Sequence, residues 1–174
     1  MGRRRQALLL MDANVLIDYL DSDRRVFRLA TEHVGQIHVP TTLLAEEIVA
    51  DDVDWAALGV VAVEPSVPML AEAGARGGSL SFHDWLCLLM AKQHGWTCVT
   101  NDKRLRRECA DVGVATVWGL ELVVLLVEAH AISAAAAQGI ADAIRAANPG
   151  YVTDRVMSGF RQKIQAVRGS RRRS

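Results

Sequence analysis

Carboxylate side chains occur at four separated places in the sequence, each beside an apolar segment that could hold it in position. They are Asp12, Glu46 or the adjacent Glu47, Asp84 and Asp102. Carboxylates that are brought together repel one another, and a hard divalent cation relieves this repulsion. Mg²⁺ binds one or two carboxylates while it keeps waters and substrate phosphates, so such a cluster would suit phosphodiester hydrolysis.

The first of these acids, Asp12, ends the short apolar run 8–11 and precedes a helix-like pattern at 13–20. Ligands of open parallel sheets collect beyond the carboxyl ends of strands, where an aspartate in this position would lie. Aspartate is also a favoured N-cap, so Asp12 could simply cap the following helix. This stretch alone does not choose between the two interpretations.

Asp102 and Asp84 also fall at predicted element ends. Asp102 follows the strand pattern at 97–100, and it would emerge beside the first acid if the two strands are parallel neighbours. Asp84 lies three residues after Ser81, the spacing of a capping box, so these two residues could simply satisfy backbone N–H groups. The small loop 77–79 nevertheless places the start of this helix near the same rim of the sheet.

The fourth acid is ambiguous because two glutamates are adjacent. Glu46 shares a helix face with Leu43 and Val49, and Glu47 lies one turn on from Leu43 and Leu44. Either side chain could point towards the site, so periodicity does not choose between them.

Strand and helix patterns alternate along the chain. Strands are predicted at 6–12, 37–39, 60–63, 97–100 and 114–117, and helices at 13–20, 24–34, 41–50, 69–75, 82–94, 103–110, 120–129, 133–147 and 153–167. This alternation predicts an α/β fold of three layers, α/β/α, in which a parallel sheet of four to five strands is covered by helices on both faces. The last helices follow the sheet as a C-terminal addition.

Composition excludes several classes of protein. A chain of 174 residues with 51% hydrophobic residues suits one domain with a sizeable core. The most apolar stretch, 120–132, contains Glu121 and Glu128 and is too short to span a membrane. The apolar run near the N-terminus is too short for a signal peptide, so we expect a cytoplasmic protein with no membrane association. The three cysteines lack a C-x-x-C pair and are expected to be buried free thiols.

Charge is balanced overall but unevenly distributed. The formal net charge is zero, which argues against a global basic field, yet basic residues cluster at 3–5, 24–28, 103–107 and 168–173. Basic patches beside an acidic site would suit a phosphate-backbone substrate. They could equally be solvated helix faces and a disordered tail.

Four motifs resemble, in order and approximate spacing, the PIN-domain nucleases, and within them the VapC-like toxin ribonucleases of bacterial and archaeal toxin–antitoxin pairs. The motifs are residues 12–18 (DANVLID), 45–46 (AE), 80–84 (LSFHD) and 99–105 (VTNDKRL). The closing residues 117–120 (VWGL) resemble a branch with extended C-terminal helices. The resemblance implies a PIN-like domain at 1–130, a helical extension packed on it at 131–168, and a basic tail at 169–174.

This resemblance also implies an activity and a set of site residues. The activity is a Mg²⁺- or Mn²⁺-dependent endoribonuclease, in which Asp12, Glu46, Asp84 and Asp102 would be the catalytic and metal-binding acids, with Glu47 as a substitute for Glu46. Asn14, in place of the commoner Ser or Thr, and Thr100 match supporting positions that hydrogen-bond within the site. Lys103 and Arg104 are candidate phosphate contacts, and Asp18 could be a peripheral ligand or a surface helix residue. The implied partners are RNA, a cognate antitoxin and a second copy of the chain in a homodimer.

The position of any partner surface stays open. Leu16, Tyr19 and Leu20 could contribute to one, but core packing explains them equally well. The alanine-rich helices from Ser133 onward could pack within the chain, dimerise or embrace a partner.

Two other classes of function compete with the nuclease. A haloacid-dehalogenase-like phosphatase would use Asp12 as nucleophile, Lys103 as charge partner and Asp102 as metal ligand. That chemistry normally requires a second aspartate two residues after the nucleophile, where this chain has Asn14. A non-catalytic RNA- or partner-binding module is the other rival, and a metal titration would discriminate it from a nuclease.

Overall fold

The computed structural model describes residues 7–50 and 52–171. The predicted basic patch at 3–5 and the end of the predicted tail, residues 172–174, lie outside the described residues. None of the described helices combines the length and apolar character that crossing a membrane requires.

A five-stranded parallel sheet forms the centre of the molecule. Its strands are β1 (Ala7–Met11), β2 (Gly35–Pro40), β3 (Val60–Val63), β4 (Thr97–Val99) and β5 (Thr116–Val117). They are arranged in the order β3-β2-β1-β4-β5, and every neighbouring pair is parallel. The predicted α/β class with a central parallel sheet is therefore confirmed. The order reverses between β1 and β4, which makes the crevice beyond their carboxyl ends the expected ligand site.

The register of the sheet sets which residues reach this crevice together. Leu9 pairs with Thr97 and Met11 with Val99, so Asp12 and Thr100 leave the sheet at the same level. On the other side of β1, Gly35 pairs with Ala7. A Cβ atom at Gly35 would lie 1.8 Å from the carbonyl oxygen of Ala7, so the start of β2 requires glycine.

Nine described helices cover the sheet on its two faces. They are α1 (Ala13–Ser22), α2 (Arg25–His33), α3 (Thr41–Glu46), α4 (Val67–Ala75), α5 (Phe82–His94), α6 (Lys103–Asp111), α7 (Gly119–Glu128), α8 (Ala134–Ala147) and α9 (Asp154–Arg171). On one face α1 contacts α8, α2 contacts α7, and α9 packs on α7 and α8. On the other face α5 contacts β1, β4, α4 and α6. This is the three-layer arrangement expected of right-handed crossovers around a parallel sheet.

The C-terminal helices belong to the same hydrophobic core as the sheet. Their buried residues include Ile140, Ile144, Phe160 and Ile164, which form one cluster with the residues of the strands. These faces therefore pack within the chain, which was one of the three possibilities that the sequence left open. Leu16 and Tyr19 of α1 are also fully buried, so both are core residues. A domain boundary at residue 130 stays a prediction.

The predicted helix at 41–50 is too long. Helix α3 ends at Glu46, and Glu47 is its C-cap. The next residues, Ile48 and Val49, are β-branched and favour helix less than unbranched residues do. Ile48 is buried beside the core while Val49 is 98% exposed. Burying Ile48 in an irregular connection to β3 thus replaces the last turn of the predicted helix.

All three cysteines are free thiols and buried, as predicted.

Candidate functional site

Asp12 occupies the crevice and caps a helix at the same time. Its side chain accepts a hydrogen bond of 3.0 Å from the backbone N–H of Val15, which makes it the N-cap of α1. Its own N–H donates to the carbonyl of Val99 at 3.1 Å, so the residue continues the β1–β4 pairing. The side chain is almost completely buried. The two interpretations of Asp12 from sequence are therefore compatible.

Asp102 is held at the start of α6 by a similar set of backbone groups. One carboxylate oxygen, Oδ1, accepts hydrogen bonds from the N–H groups of Arg104 and Leu105 at 2.6 and 3.1 Å. The N–H of Asp102 donates to the hydroxyl of Thr100 at 3.0 Å, and Thr100 is completely buried. These bonds fix the loop from β4 to α6, and with it the direction of the carboxylate.

Asp84 forms the capping box that its spacing from Ser81 predicts. Its Oδ2 accepts bonds from the N–H and hydroxyl of Ser81 at 2.9 and 2.8 Å, and the N–H of Asp84 donates to the same hydroxyl at 3.1 Å. The carboxylate therefore stabilises the first turn of α5. Asp84 caps the helix and also contributes to the candidate site, because its charge raises the pKa of Asp12.

The charges of two other acids act on the buried Asp12. Burial is the largest cause that raises the pKa of Asp12, from 3.8 to about 6, and the charges of Asp84 and Asp102 raise it further. Hydrogen bonds from Thr100 and from the N–H of Val15 oppose this rise. Asp84 in the first turn of α5 and Asp102 after β4 are therefore close enough to Asp12 at the end of β1 for their charges to affect its ionisation.

The glutamate pair has a different environment, in which an imidazole lies between the two carboxylates. His83 Nε2 is 3.2 Å from Glu46 Oε2, and His83 Nδ1 is 2.6 Å from Glu47 Oε1. The Glu47 side chain is 39% exposed and that of Glu46 is 59% exposed. The sequence interpretation missed His83, although its position next to Asp84 was a signal that could have drawn attention to it.

The charges of Glu47 and of two of the aspartates all act on the buried thiol of Cys87. Burial is the main cause that raises the pKa of Cys87 well above its ordinary value, and the charges of Asp12, Asp84 and Glu47 contribute to the rise. Cys87 lies on α5, one turn after His83. The carboxylate of Glu47, the C-cap of α3, is therefore close enough to α5 to act on Cys87.

The donor chemistry of the cluster suits a hard divalent cation, but the protein does not form a complete cage. Within residues 7–50 and 52–171, no three His, Cys, Asp or Glu side chains form a ready-made metal group. Asp84 Oδ1 and Asp102 Oδ2 accept no hydrogen bond from any described residue, since the bonds to these residues go to their other oxygens. Mg²⁺ commonly takes one or two carboxylates and completes its shell with water and phosphate oxygens. The residues fit a cation bound in that way.

The supporting residues predicted from sequence have unequal environments. Thr100 bonds to both Asp12 and Asp102, as described above. Asn14 is exposed in the first turn of α1, and its side chain makes no hydrogen bond to a described residue. Lys103 and Arg104 are exposed at the start of α6, where an Arg104 N–H donates to the carbonyl of Ser79 at 3.3 Å.

An open cleft of about 920 Å³ adjoins the cluster on the side of the C-terminal helices. Its walls come from α1, the loop from β4 to α6, α7, the loop from α8 to α9, and α9, and Asp102 lies on its edge. Asp18 also lines the cleft and accepts hydrogen bonds from the side-chain amides of Asn101 and Asn148. Burial is the main cause that raises the pKa of Asp18 to about 6. Asp18 thus fastens α1 to the end of α8.

Gly119 closes the base of this cleft through a close approach. Its N–H donates to Asn101 Oδ1 at 2.8 Å, and its carbonyl accepts a hydrogen bond from the hydroxyl of Tyr19. A Cβ atom at this position would lie 3.0 Å from Asn101 Nδ2 and 3.3 Å from a methyl group of Val15. A larger residue would therefore shift the asparagine that joins the loop after β4 to α1 and α7.

No protein-family model and no curated protein matches the chain. Among solved structures, the chain is similar to a PilT N-terminus domain protein from the hyperthermophilic archaeon Sulfolobus solfataricus. The identity is 12%, the TM-score is 0.49, and the likeness covers 72% of this chain and 96% of that chain. At this level of similarity, no residue role transfers from one protein to the other.

Proposed function

We propose that this protein is a PIN-domain-type endoribonuclease that hydrolyses RNA phosphodiester bonds with the help of Mg²⁺ or Mn²⁺. One observation carries the proposal: Asp12 is buried at the switch point of the sheet, where the charges of Asp84 and Asp102 act on it. The buried Asp12 has a pKa of about 6 partly because the other two charges act on it. A divalent cation would favour the ionised form of Asp12.

Asp12, Asp84 and Asp102 would hold the cation together with one of the two glutamates. The sequence motif favours Glu46, with Glu47 as its substitute, whereas the lower exposure of the Glu47 side chain favours Glu47. When bound, the cation would supply an activated water and neutralise charge on the leaving oxygen. The chain itself keeps the carboxylates in place before any ligand binds, because backbone N–H groups orient Asp12 and Asp102 and Ser81 orients Asp84. Such preorganisation lowers the cost of ordering the site during the reaction.

Other residues of the chain would orient the substrate and the acids. Thr100 holds Asp12 and Asp102 in a fixed relation, and His83 lies between the two glutamates, with Nδ1 2.6 Å from Glu47 and Nε2 3.2 Å from Glu46. Lys103 and Arg104 would contact substrate phosphates, since both are exposed beside Asp102. Asn14 would bond to the site or to substrate from the first turn of α1.

RNA as the substrate is supported by the four sequence motifs that resemble PIN-domain nucleases. We propose cleavage of single-stranded or looped RNA that leaves a 3′ hydroxyl and a 5′ phosphate. Mapping the ends of the products would test this polarity. A 2′,3′-cyclic phosphate would contradict it, because that product forms by attack of the 2′ hydroxyl instead of water.

We further propose, on the sequence resemblance alone, that the protein is a VapC-like toxin with a cognate antitoxin and a homodimeric state. Induced expression should then arrest growth, and co-expression of a small protein encoded by a neighbouring gene should restore it. Light scattering coupled to size-exclusion chromatography would test the dimer. Growth that is unaffected by expression of an active nuclease would favour a housekeeping enzyme.

The decisive experiment is an RNA-cleavage assay with Mg²⁺ or Mn²⁺. Asp12→Ala and Asp84→Ala should each abolish cleavage, and EDTA should do the same to the unaltered protein. Asp142→Ala is a matched control, because Asp142 is an exposed aspartate of α8 that bonds only to Gln138 among the described residues. Activity that survives EDTA or either site substitution would contradict the proposal.

A non-catalytic RNA- or partner-binding module is a second candidate, and one observation favours it. The described residues contain no ready-made three-ligand metal group. Calorimetric titration with Mn²⁺ would separate the candidates. Binding that disappears in Asp12→Asn supports the nuclease, and the absence of binding in the unaltered protein supports the module.

A further inference from the structure

The cleft beside the acid cluster has the chemistry of a binding site of its own. It is formed largely by the C-terminal part of the chain, since α7, α9 and the loop between α8 and α9 provide most of its wall. Asp102 at its edge belongs to both the acid cluster and the cleft. A chain-like ligand that reaches the acids can therefore continue into the cleft. A volume of about 920 Å³ is near the upper end for ligand pockets.

The basic residues of the cleft are not all neutralised by acids. Lys163 pairs with Glu121 at 3.0 Å, and Asp18 is already bonded to two asparagine amides. In the part of the chain that the structure describes, neither Lys103 nor Arg155 has an ion-pair partner, and both are exposed. These two cations lie on different elements, α6 and α9, which line the same cleft. Their placement suits a ligand that carries repeated negative charges.

An exposed aromatic ring also lines the cleft. Tyr151 is 81% exposed and follows Gly150 in the loop between α8 and α9. Its ring stacks on no other described aromatic residue, whereas Trp118 in the same cleft has Arg106 over its ring at 3.8 Å. The free face of Tyr151 is therefore available for a planar group of a ligand. The neighbouring Val152 and Phe160 are buried, so the loop that carries Tyr151 is anchored in the core.

We propose that this cleft binds the single-stranded RNA that flanks the scissile bond, with a base stacked on Tyr151 and phosphates contacted by Lys103 and Arg155. Cations along a groove combined with an aromatic platform are the features that bind single-stranded nucleic acid without strict sequence preference. The inference rests on the proposed function for the identity of the ligand. An acidic protein segment would satisfy the cations but would make no comparable use of the Tyr151 ring.

The test measures RNA binding separately from cleavage. A labelled single-stranded RNA of about 12 nucleotides, within the range of known single-strand sites, is titrated against the Asp12→Asn protein by fluorescence anisotropy. In this background Arg155→Glu and Tyr151→Ala should each weaken binding about tenfold. Arg155→Glu should also reduce the slope of log affinity against log salt by about 0.7, the value for one phosphate contact to a single strand.

Two matched controls separate the cleft from general charge and folding effects. Arg161→Glu changes the same charge on the same helix at an exposed position outside the cleft, so it should change affinity less than about twofold. Tyr151→Phe keeps the ring and should bind as the parent does. Both altered cleft residues are exposed, so thermal unfolding should be unchanged within the error of the measurement.

Several outcomes would overturn the inference. They are equal loss of affinity in Arg155→Glu and Arg161→Glu, full affinity in Tyr151→Ala, or the same Tyr151 dependence for fully duplexed RNA. An acidic peptide that binds in an Arg155-dependent way, with RNA affinity unchanged, would assign the cleft to a protein partner instead.

The result is also distinguishable from failure of the proposed function. Tyr151-dependent RNA binding by a chain that never cleaves RNA would remove the nuclease proposal and leave the cleft assignment intact. Metal-dependent cleavage, with RNA binding and cleavage rates unaltered in both cleft variants, would keep the nuclease proposal and remove the cleft assignment.

Discussion

The acids of the candidate site are held in two different ways. The aspartates of the β1–β4 end are fixed by helix starts, because Asp12, Asp84 and Asp102 each accept hydrogen bonds in the first turn of a helix. The glutamates of α3 have only an imidazole between them and are much more exposed. Backbone N–H groups cannot move away from a carboxylate, whereas a histidine side chain can. The aspartates therefore form a rigid part of the site, and the glutamates form an adjustable part.

A capping aspartate in this site has two opposite effects on stability. An aspartate that caps a helix contributes to stability, and the same aspartate in a cluster of like charges opposes it. Asparagine is as good an N-cap as aspartate but carries no charge. Asp→Asn variants consequently test the charge, and Asp→Ala variants test the charge and the cap together.

The largest effect is expected for Asp12→Asn. RNA cleavage should fall on the order of 100-fold or more, because the proposed site would lose a carboxylate that holds the metal ion. The same variant should be more stable to unfolding than the unaltered protein at neutral and alkaline pH. The pKa of Asp12 rises from 3.8 to about 6 on folding. Protonation of Asp12 therefore stabilises the folded protein below pH 3.8, and this stabilisation is lost as the pH rises through 6.

The size of this stability change follows from the same pKa. The unaltered protein should be less stable at pH 8 than the Asn variant by up to roughly 3 kcal/mol, and the two should be nearly equal at pH 3 to 4. Urea unfolding at both pH values measures the difference, with Asp142→Asn as the control. If Asp12→Asn is no more stable than the unaltered protein at pH 8, the environment of Asp12 does not disfavour its charge, and the prediction is wrong.

A second prediction compares Asp102→Asn with Asp102→Ala. Both should lose cleavage to a similar extent, because both remove the charge beside the cleft. Only the Ala variant should lose stability, by about 1 kcal/mol, since Asn still accepts the N–H groups of Arg104 and Leu105. Cleavage rates and urea midpoints of the two variants would check this. An active Asn variant would mean that Asp102 is a cap and nothing more.

The adjustable part of the site is tested by Glu46→Gln and Glu47→Gln. We expect the larger loss of cleavage, about tenfold, for Glu47→Gln, because Glu47 is the less exposed of the two and its charge contributes to the raised pKa of the buried Cys87. Steady-state rates at several Mn²⁺ concentrations would show whether the loss reflects weaker metal binding. The opposite ranking would identify Glu46, which the sequence motif favours, as the fourth acid.

The smallest effect is the pH dependence of stabilisation by metal. Saturating Mg²⁺ at about 100 times its Kd should stabilise the protein by about 2.7 kcal/mol. The increase in Tm should be smaller at pH 5 than at pH 8, because protons compete with the cation at Asp12, whose pKa is about 6. Differential scanning fluorimetry measures both shifts, and Asp12→Asn should remove them. An equal shift at both pH values would place the cation elsewhere.

Local pattern was sufficient for most elements of the fold. Residues 60–63 and 82–94 form a strand and a helix with the bounds that periodicity predicted, and the alternation of elements predicted a parallel sheet. The predicted end of α3 at residue 50 was wrong, because the burial of Ile48 depends on contacts with distant residues. The assignment of Glu46 or Glu47 was undecidable for the same kind of reason, since His83 comes from another helix.

The sequence by itself determined which residues could do chemistry and which elements would carry them, because helix caps, strand patterns and breaks depend on neighbours within a few positions. Only the tertiary structure decided that the charges of Asp84 and Asp102 act on Asp12 and that the C-terminal helices form a cleft that Asp102 also lines. Strand order and register set those distances, and both are decided by the packing of segments that are far apart in the chain.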